Sequence, residues 1–281
     1  MNAYVLELLS LIAIYTALTA SLNLLAGYAG LVSVCHAAFF AVGAYTSAIL
    51  STRYGWSVGG GALVALIAAG ALGFSVARLA GRLRDEYFLL VTFALQVVTS
   101  GVLLNWIELS RGAMGISNVP RLLSSAGNSA IALVATSGLM VFAARYLERL
   151  PFGHALLAIR DDQRFAASLG KNVPRVKALA ASVSAGMAAL AGSLYAHWMQ
   201  FVSPESFKVD KSILILSMVI LGGKNTAIGS LGGAATLLII PEVARLVVGG
   251  PVAANLQGIF YGLVLVITLS LRPSVLWRAR L

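Results

Sequence analysis

Long apolar stretches, each about the length of a membrane-spanning helix, dominate this sequence. About 20 apolar residues cross the hydrocarbon core of a bilayer as a helix. Polar and charged residues gather between the apolar stretches rather than repeating along them. The pattern predicts about nine hydrophobic segments, the seventh of them short. These segments are 3–25, 31–51, 57–79, 86–107, 127–148, 174–199, 211–222, 229–248 and 253–272.

Composition supports this interpretation. Of the 281 residues, 59% are hydrophobic and 11% are charged, whereas soluble domains carry roughly 25% charged residues. The first segment lacks the basic start and the cleavage site of a signal peptide, so we expect a retained helix. We therefore predict an all-α integral membrane protein, a polytopic bundle that forms a single transmembrane domain over residues 1–281.

The remaining composition argues against several chemistries. A net charge of +10 would suggest nucleic acid in a soluble protein, but the basic residues here cluster beside hydrophobic segments. We expect no nucleic-acid partner. One cysteine, Cys35, and three scattered histidines predict no disulfide framework and no metal site. Since no nucleophile–base arrangement stands out either, we expect no catalytic residues and no cofactor.

A basic, amphiphilic interruption at residues 148–177 divides the apolar chain. It predicts a short helix over 153–159 and a second one capped by Asp161 or Asp162. Gly170 is a typical helix-ending residue.

Within that second helix, Phe165, Ala166 and Leu169 form a narrow apolar ridge. The ridge favours docking to a partner, while the alternative is a positively charged loop that only orients the protein. The basic residues that flank the ridge are Arg160, Arg164 and Lys171.

The sequence PFGHALLAIR at residues 151–160, followed by Ala166, Ala167 and Gly170, resembles the coupling loop of permease subunits in ATP-binding-cassette importers of the branched-chain amino-acid type. In that family the short helices sit in a groove of the ATPase subunit. The resemblance implies a coupling loop at about 149–173. The residues it assigns to ATPase coupling are Gly153, Ile159, Arg160, Arg164, Phe165, Ala166, Leu169 and Gly170.

The stretch 22–45 combines paired glycines, a serine and a histidine inside an apolar segment, which predicts a broken or close-packed helix. It resembles the second-helix motif of LivM-type permeases rather than that of their LivH-type partners. For Asn23 and His36 the alternative to a pathway role is a structural hydrogen bond, and for Gln96 and Thr99 it is a helix interface. The candidate pathway residues are Asn23, Ser33, His36, Tyr45, Gln96 and Thr99.

Small residues recur at four-residue spacing, which lets another helix approach closely. The first stripe is Gly61, Ala65, Ala69 and Gly73, and the others are Ala181, Ala185, Ala189 and Ser193, and Gly229 with Gly233.

Two further loops, 108–128 and 201–207, interrupt the apolar pattern. They can be plain surface loops, but the first also looks like the family's external glycine-rich loop, where a substrate-binding protein would dock. The candidate docking residues are Arg111, Met114, Pro204 and Glu205.

Charge predicts the orientation. With the coupling loop in the cytoplasm, fourteen of the 20 Lys and Arg residues lie inside and six outside, as the positive-inside rule expects. The N-terminus is then outside and the C-terminus cytoplasmic.

The resemblance implies a permease subunit of an ATP-driven importer in the bacterial inner membrane, working by alternating access. Its implied partners are a LivH-type permease, two ATP-binding subunits, an extracytoplasmic substrate-binding protein and membrane lipid. Branched-chain amino acids are the implied substrates, with urea, short amides or aromatic acids as alternatives within the family. A self-sufficient secondary transporter is the alternative from another class, but such proteins usually carry ionisable residues within the membrane.

Overall fold

The computed structural model describes residues 3–80, 85–123, 125–223 and 227–248, together with positions 262 and 266. Nearly all of these residues are helical, and the only sheet among them is a pair of two-residue strands. The α-helices are α1 (Ala3–Leu22), α2 (His36–Tyr54), α3 (Val58–Ala80), α4 (Asp85–Asn105), α5 (Ile107–Ser110), α6 (Ala126–Arg149), α7 (Pro151–Asp161), α8 (Gln163–Ser168), α9 (Val173–Met199), α10 (Val209–Gly222) and α11 (Ala227–Val248).

Each of the first eight predicted segments overlaps a helix, and the all-α polytopic membrane class is confirmed. Within the described ranges, five helical stretches are long and apolar enough to cross a membrane. The predicted segment 31–51 is displaced, because its helix begins only at His36. The predicted segment 253–272 lies outside the described residues, apart from two helical positions within it.

Helix α9 lies at the centre of the fold, against α1, α2 and α3. It touches α2 backbone to backbone, because both helices carry glycine at the contact. A Cβ atom added to Gly43 would lie 2.0 Å from the carbonyl oxygen of Ala189, and one added to Gly192 would lie 2.0 Å from that of Phe40. Any side chain at these two glycines would therefore force the helices apart.

The small-residue stripe of α3 is buried along its whole length, which confirms the predicted close approach. A Cβ atom on Gly73 would come within 2.6 Å of the Cβ atom of Ala185 on α9, and one on Gly61 would come within 2.8 Å of Ser47 Oγ on α2. The stripe therefore packs inside this chain.

The short helix α10 forms a tight pair with α11. A Cβ atom on Gly222 would lie 1.9 Å from the carbonyl oxygen of Gly229, and one on Gly233 would lie 2.0 Å from that of Met218. The third predicted stripe thus also serves a contact within the chain.

We expect Ala69→Leu to destabilise the fold, since it inserts a larger side chain between α3 and α9, where Ala69 is fully buried. Overpacking of this kind costs about 1–3 kcal/mol. The matched control is Ala71→Leu on the exposed side of the same helix. Thermal unfolding of the purified variants in detergent checks this, and equal melting temperatures for both variants would contradict the assigned packing.

Candidate functional site

The helix that begins with α1 is broken in the interior of the fold. Its last turn widens into a π-helix at Asn23–Tyr28, and residues 29–35 are not helical. Gly30 has a φ of +70°, in the left-handed region that glycine adopts without strain. Of the two predicted alternatives, a broken or a close-packed helix, the structure shows a broken one, and almost every residue along the break is buried.

A chain of hydrogen bonds holds the start of α2 next to this break. The backbone N–H of Ala37 donates to Ser212 Oγ at 2.9 Å, and the Ser212 hydroxyl donates to Gln96 Oε1 at 3.0 Å. Gln96 Nε2 in turn donates to the carbonyl oxygen of Phe207 at 2.8 Å. The amide of Gln96 therefore connects α2 and α10 to α4, and Ser212 is a member of the site that the sequence did not indicate.

His36 is part of a second chain of hydrogen bonds. Ser184 Oγ donates to the carbonyl oxygen of Ser21 at 2.6 Å and lies 3.0 Å from His36 Nε2. Because the Ser184 proton is already used, His36 Nε2 must be the donor in their contact. Among the described residues, His36 Nδ1 has no hydrogen-bond partner.

The other candidate pathway residues lie at different distances from the break. Asn23 and Ser33 are buried within it, and Ser33 Oγ lies 3.2 Å from Cys35 Sγ. Tyr45 lies about 13 Å farther along α2 than His36, at 1.5 Å per residue, and its ring packs edge-on against Phe207. Thr99 is half-buried. The structure thus gathers Asn23, Ser33, His36 and Gln96 around the break and leaves Tyr45 apart.

The coupling loop contains two helices, as predicted, although α7 is longer than expected. Asp162, rather than Asp161, caps α8. Its carboxylate accepts hydrogen bonds from the backbone N–H groups of Phe165 at 3.0 Å and Arg164 at 2.8 Å, and these bonds hold the pKa of Asp162 below its usual value. This cap is therefore present above the ordinary carboxyl pKa and is lost as the pH falls through the lowered one.

The apolar ridge predicted on α8 is divided in the structure. Ala166 is 1% exposed and packs inward with Ile159 and Val173, whereas Phe165 and Leu169 are 61% and 63% exposed. The prediction that the three residues form one outward ridge is wrong for Ala166. Successive residues on a helix point about 100° apart, so Phe165 and Ala166 cannot share one narrow face.

Two other residues predicted for ATPase coupling also contact this chain itself. A Cβ atom on Gly153 would lie 2.0 Å from the carbonyl oxygen of Glu148, so the start of α7 packs on the end of α6. Arg160 Nη1 donates to the carbonyl oxygen of Gly27, at the break, over 2.5 Å. Arg164 and Gly170 remain exposed.

At the opposite end of the fold, the two predicted outer loops meet. Strand β1 (Ile116–Ser117) pairs antiparallel with β2 (Phe201–Val202). His197 Nδ1 donates to the carbonyl oxygen of Pro120 at 2.7 Å, and its Nε2 is 2.8 Å from Ser47 Oγ. The paired loops are thereby fixed to α2 and α9.

Three of the four predicted docking residues lie on the surface of these paired loops. Met114 is 85% exposed, Arg111 is exposed in a left-handed conformation, and the exposed Glu205 pairs with Lys208. Pro204 is buried, so its contribution is to the shape of the loop.

Known proteins resemble this chain over most of its length. A family model described as branched-chain amino acid transport system / permease component matches residues 4–269. The high-affinity branched-chain amino acid transport system permease protein LivM of Escherichia coli (strain K12) is 31% identical over 85% of this chain and 63% of its own length, and LivM of Salmonella typhimurium is 31% identical over 83% and 61%. The chain thus spans about three fifths of these relatives.

The LivH permease protein of Escherichia coli (strain K12) is 23% identical over 92% of this chain and 90% of its own length. No solved structure matches the chain. Since the family model covers nearly all of the sequence and the LivM proteins share more identity with it than LivH does, the chain belongs to the permease components of branched-chain amino acid transport systems and is a LivM-type permease.

Proposed function

We propose that this chain is a membrane-spanning subunit of an ATP-driven importer for branched-chain amino acids or a related small solute, in the bacterial inner membrane. The names of its relatives support the substrate class. The structural observation that carries the proposal is the pair of exposed apolar side chains, Phe165 and Leu169, on the basic coupling loop. ATP hydrolysis belongs to the partner subunits, and this chain performs no catalytic step.

The coupling loop has the properties of a preformed docking element. Phe165 and Leu169 are four residues apart and therefore lie one above the other on the same face. Arg164 and Lys171 are exposed beside them, a combination that suits an apolar groove with an acidic rim on an ATPase. Because the inward packing of Ala166 fixes the loop, little conformational entropy is lost when it docks.

The other proposed partners contact other surfaces. The extracytoplasmic binding protein docks on the paired loops through Arg111, Met114 and Glu205, which lie on the surface at the far end of the fold. A LivH-type permease completes the membrane-spanning pair. Similarity of this chain to LivH permeases over 90% of their length supports a partner of the same architecture.

The polar groups around the broken helix are the proposed part of the transport pathway. A non-helical backbone at membrane depth is tolerated where protein or a water-filled cavity satisfies it, and transporters place substrate sites at such breaks. Asn23, Ser33, His36 and Gln96 supply polar atoms there, while Tyr45 and Thr99 lie farther along the same route. Alternating access then requires the break to change shape when the ATPases close.

We expect Phe165→Glu to release the ATPase subunit and abolish uptake. The change removes an apolar contact and introduces a charge that the groove would have to bury. Phe165 lies in the first turn of α8, where a negative charge is favourable, so the helix itself should survive. Co-purification of the ATPase with the permease is the measurement, and we expect the apparent affinity to fall at least 100-fold, or about 2.7 kcal/mol.

The matched control is Gln163→Glu, which adds the same charge in the same turn at an exposed, polar position. It should keep both the ATPase and uptake. If Phe165→Glu retained the ATPase as well as the control does, the loop would have only a topogenic role, and the importer proposal would lose its main support.

Cysteine labelling tests the orientation. Ser168→Cys should react with a membrane-impermeant maleimide only from the cytoplasmic side, and Met114→Cys only from outside, since both positions are exposed at opposite ends of the fold. The native chain serves as the negative control and should not be labelled, because its only cysteine is buried. Reaction of position 168 from outside in intact cells would reverse the orientation and contradict cytoplasmic docking.

A further inference from the structure

Two contacts join the coupling loop and its junction with α6 to the broken helix, one from the last turn of α6 and one from the last turn of α7. Before α7, Glu148 Oε2 accepts a hydrogen bond from the Tyr28 hydroxyl at 2.9 Å. At its last turn, Arg160 Nη1 donates to the carbonyl oxygen of Gly27 at 2.5 Å. Gly27 and Tyr28 are the last two residues of the π-helix, so the last turn of α6 and the last turn of α7 hold the same turn of the broken helix.

The fit of Arg160 depends on a second glycine. The side chain of Arg160 passes so close to Gly30 that a Cβ atom there would lie 2.7 Å from Arg160 Cγ. The same glycine adopts a φ of +70° in the non-helical segment. Gly30 therefore allows both the turn and the approach of the arginine, and Arg160 contacts the two sides of the point where the helix ends.

The connection between the two contacts is stiff. Helix α7 is a continuous helix of 11 residues, and its Gly153 packs on the Glu148 carbonyl with no room for a side chain. Ile159, next to Arg160, is fully buried with Ala166. A displacement of α8 therefore moves Arg160 as well, since the intervening side chains leave no gap to absorb it.

The π-helix is a place where such a displacement can change the structure. It contains an extra residue in its turn compared with an α-helix, and π turns are rare and often occur at functional sites. Conversion of a π turn to an α turn shifts the following residues by one position, about 1.5 Å along the axis and 100° around it. Here the following residues are the non-helical segment and the start of α2, where the polar chain through Ser212 and Gln96 begins.

We propose that Arg160 and Glu148 form a two-point clamp through which the coupling loop moves the broken helix. Arg160 is then a positioning residue that acts inside this chain and not a contact with the ATPase. The proposal rests on the proposed importer function, since the movement originates in the partner ATPases. It assigns the C-terminal ends of α6 and α7 a different task from the exposed face of α8, which docks.

The test uses the complete importer, purified with its ATPase subunits and reconstituted in liposomes. Arg160→Gln removes the charge and weakens the bond to Gly27, and Tyr28→Phe removes only the hydroxyl that reaches Glu148. We expect both variants to keep the ATPase and to hydrolyse ATP within twofold of the native rate, while uptake per ATP hydrolysed falls at least tenfold. Arg160→Lys, which keeps one charged donor, should recover part of the uptake.

The matched control is Arg175→Gln, which removes the same charge from an exposed position at the start of α9. It should keep both the ATPase and the native uptake per ATP. A loss of the ATPase from Arg160→Gln equal to that from Phe165→Glu would overturn the clamp and make Arg160 a docking residue. Native uptake per ATP in both clamp variants would overturn it too.

The thiol reactivity of Cys35 reports directly on the non-helical residues 29–35, because Cys35 is buried among them and is the only cysteine of the chain. In the native complex, the rate of its reaction with N-ethylmaleimide should differ at least threefold between the nucleotide-free state and the state trapped with ATP. In Arg160→Gln this difference should disappear. A native rate that does not respond to nucleotide, or a response that Arg160→Gln retains in full, would contradict the clamp.

If no ATPase is present in the native complex, the importer function itself fails, and that result is distinct from a clamp variant that holds the ATPase but no longer couples it.

Discussion

Where the helix is broken inside the apolar interior, its free backbone N–H and C=O groups need hydrogen-bond partners. This need determines much of the structure. Backbone groups that leave a helix in such surroundings need partners within the protein, since several kcal/mol are lost for each group without one. Here the partners come from three elements. Thr92 on α4 accepts from Val34 N–H at 3.3 Å, Ser212 on α10 accepts from Ala37 N–H, and Arg160 on α7 donates to the Gly27 carbonyl. Each of these elements therefore has to lie beside the break.

Small residues make a second set of hydrogen bonds possible, those between α2 and α9. Serine and threonine hydroxyls are short, so they reach another helix only when the two backbones are close. Gly43 and Gly192 bring α2 against α9, where Ser184 Oγ lies 3.0 Å from His36 Nε2 and Ser47 Oγ lies 2.8 Å from His197 Nε2. Close van der Waals packing at the glycines therefore sets the short distance between the helices that these hydroxyl hydrogen bonds require.

Most helices and the two short helices between α6 and α9 were predictable because they depend on local composition, whereas the contacts of several side chains were not. Ser212 and Ser217 lie in one apolar helix, yet Ser217 donates to its own helix at Ile213 and Ser212 donates to Gln96 on another. Nothing in the sequence separates the two, since either bond satisfies a serine. Likewise, a periodic pattern places Ala166 and Phe165 on a helix but does not say which of them faces the protein itself.

The same contacts locate the point where the structure can change. His36 bonds to Ser184 near one end of α2, and Ser47 bonds to His197 farther along, so α2 and α9 are joined at two levels as well as through their glycines. A pair of helices held in this way moves as one body, because sliding would break both bonds and separate packed backbones. Helix α1 is also bonded to α9, because the Ser21 carbonyl accepts from Ser184 Oγ, so the movement that we propose would fall on the residues after that bond, including 29–35. Gly30 lies in that segment, beside the side chain of Arg160, so the segment proposed to bend and the arginine proposed to move it are in contact at one residue.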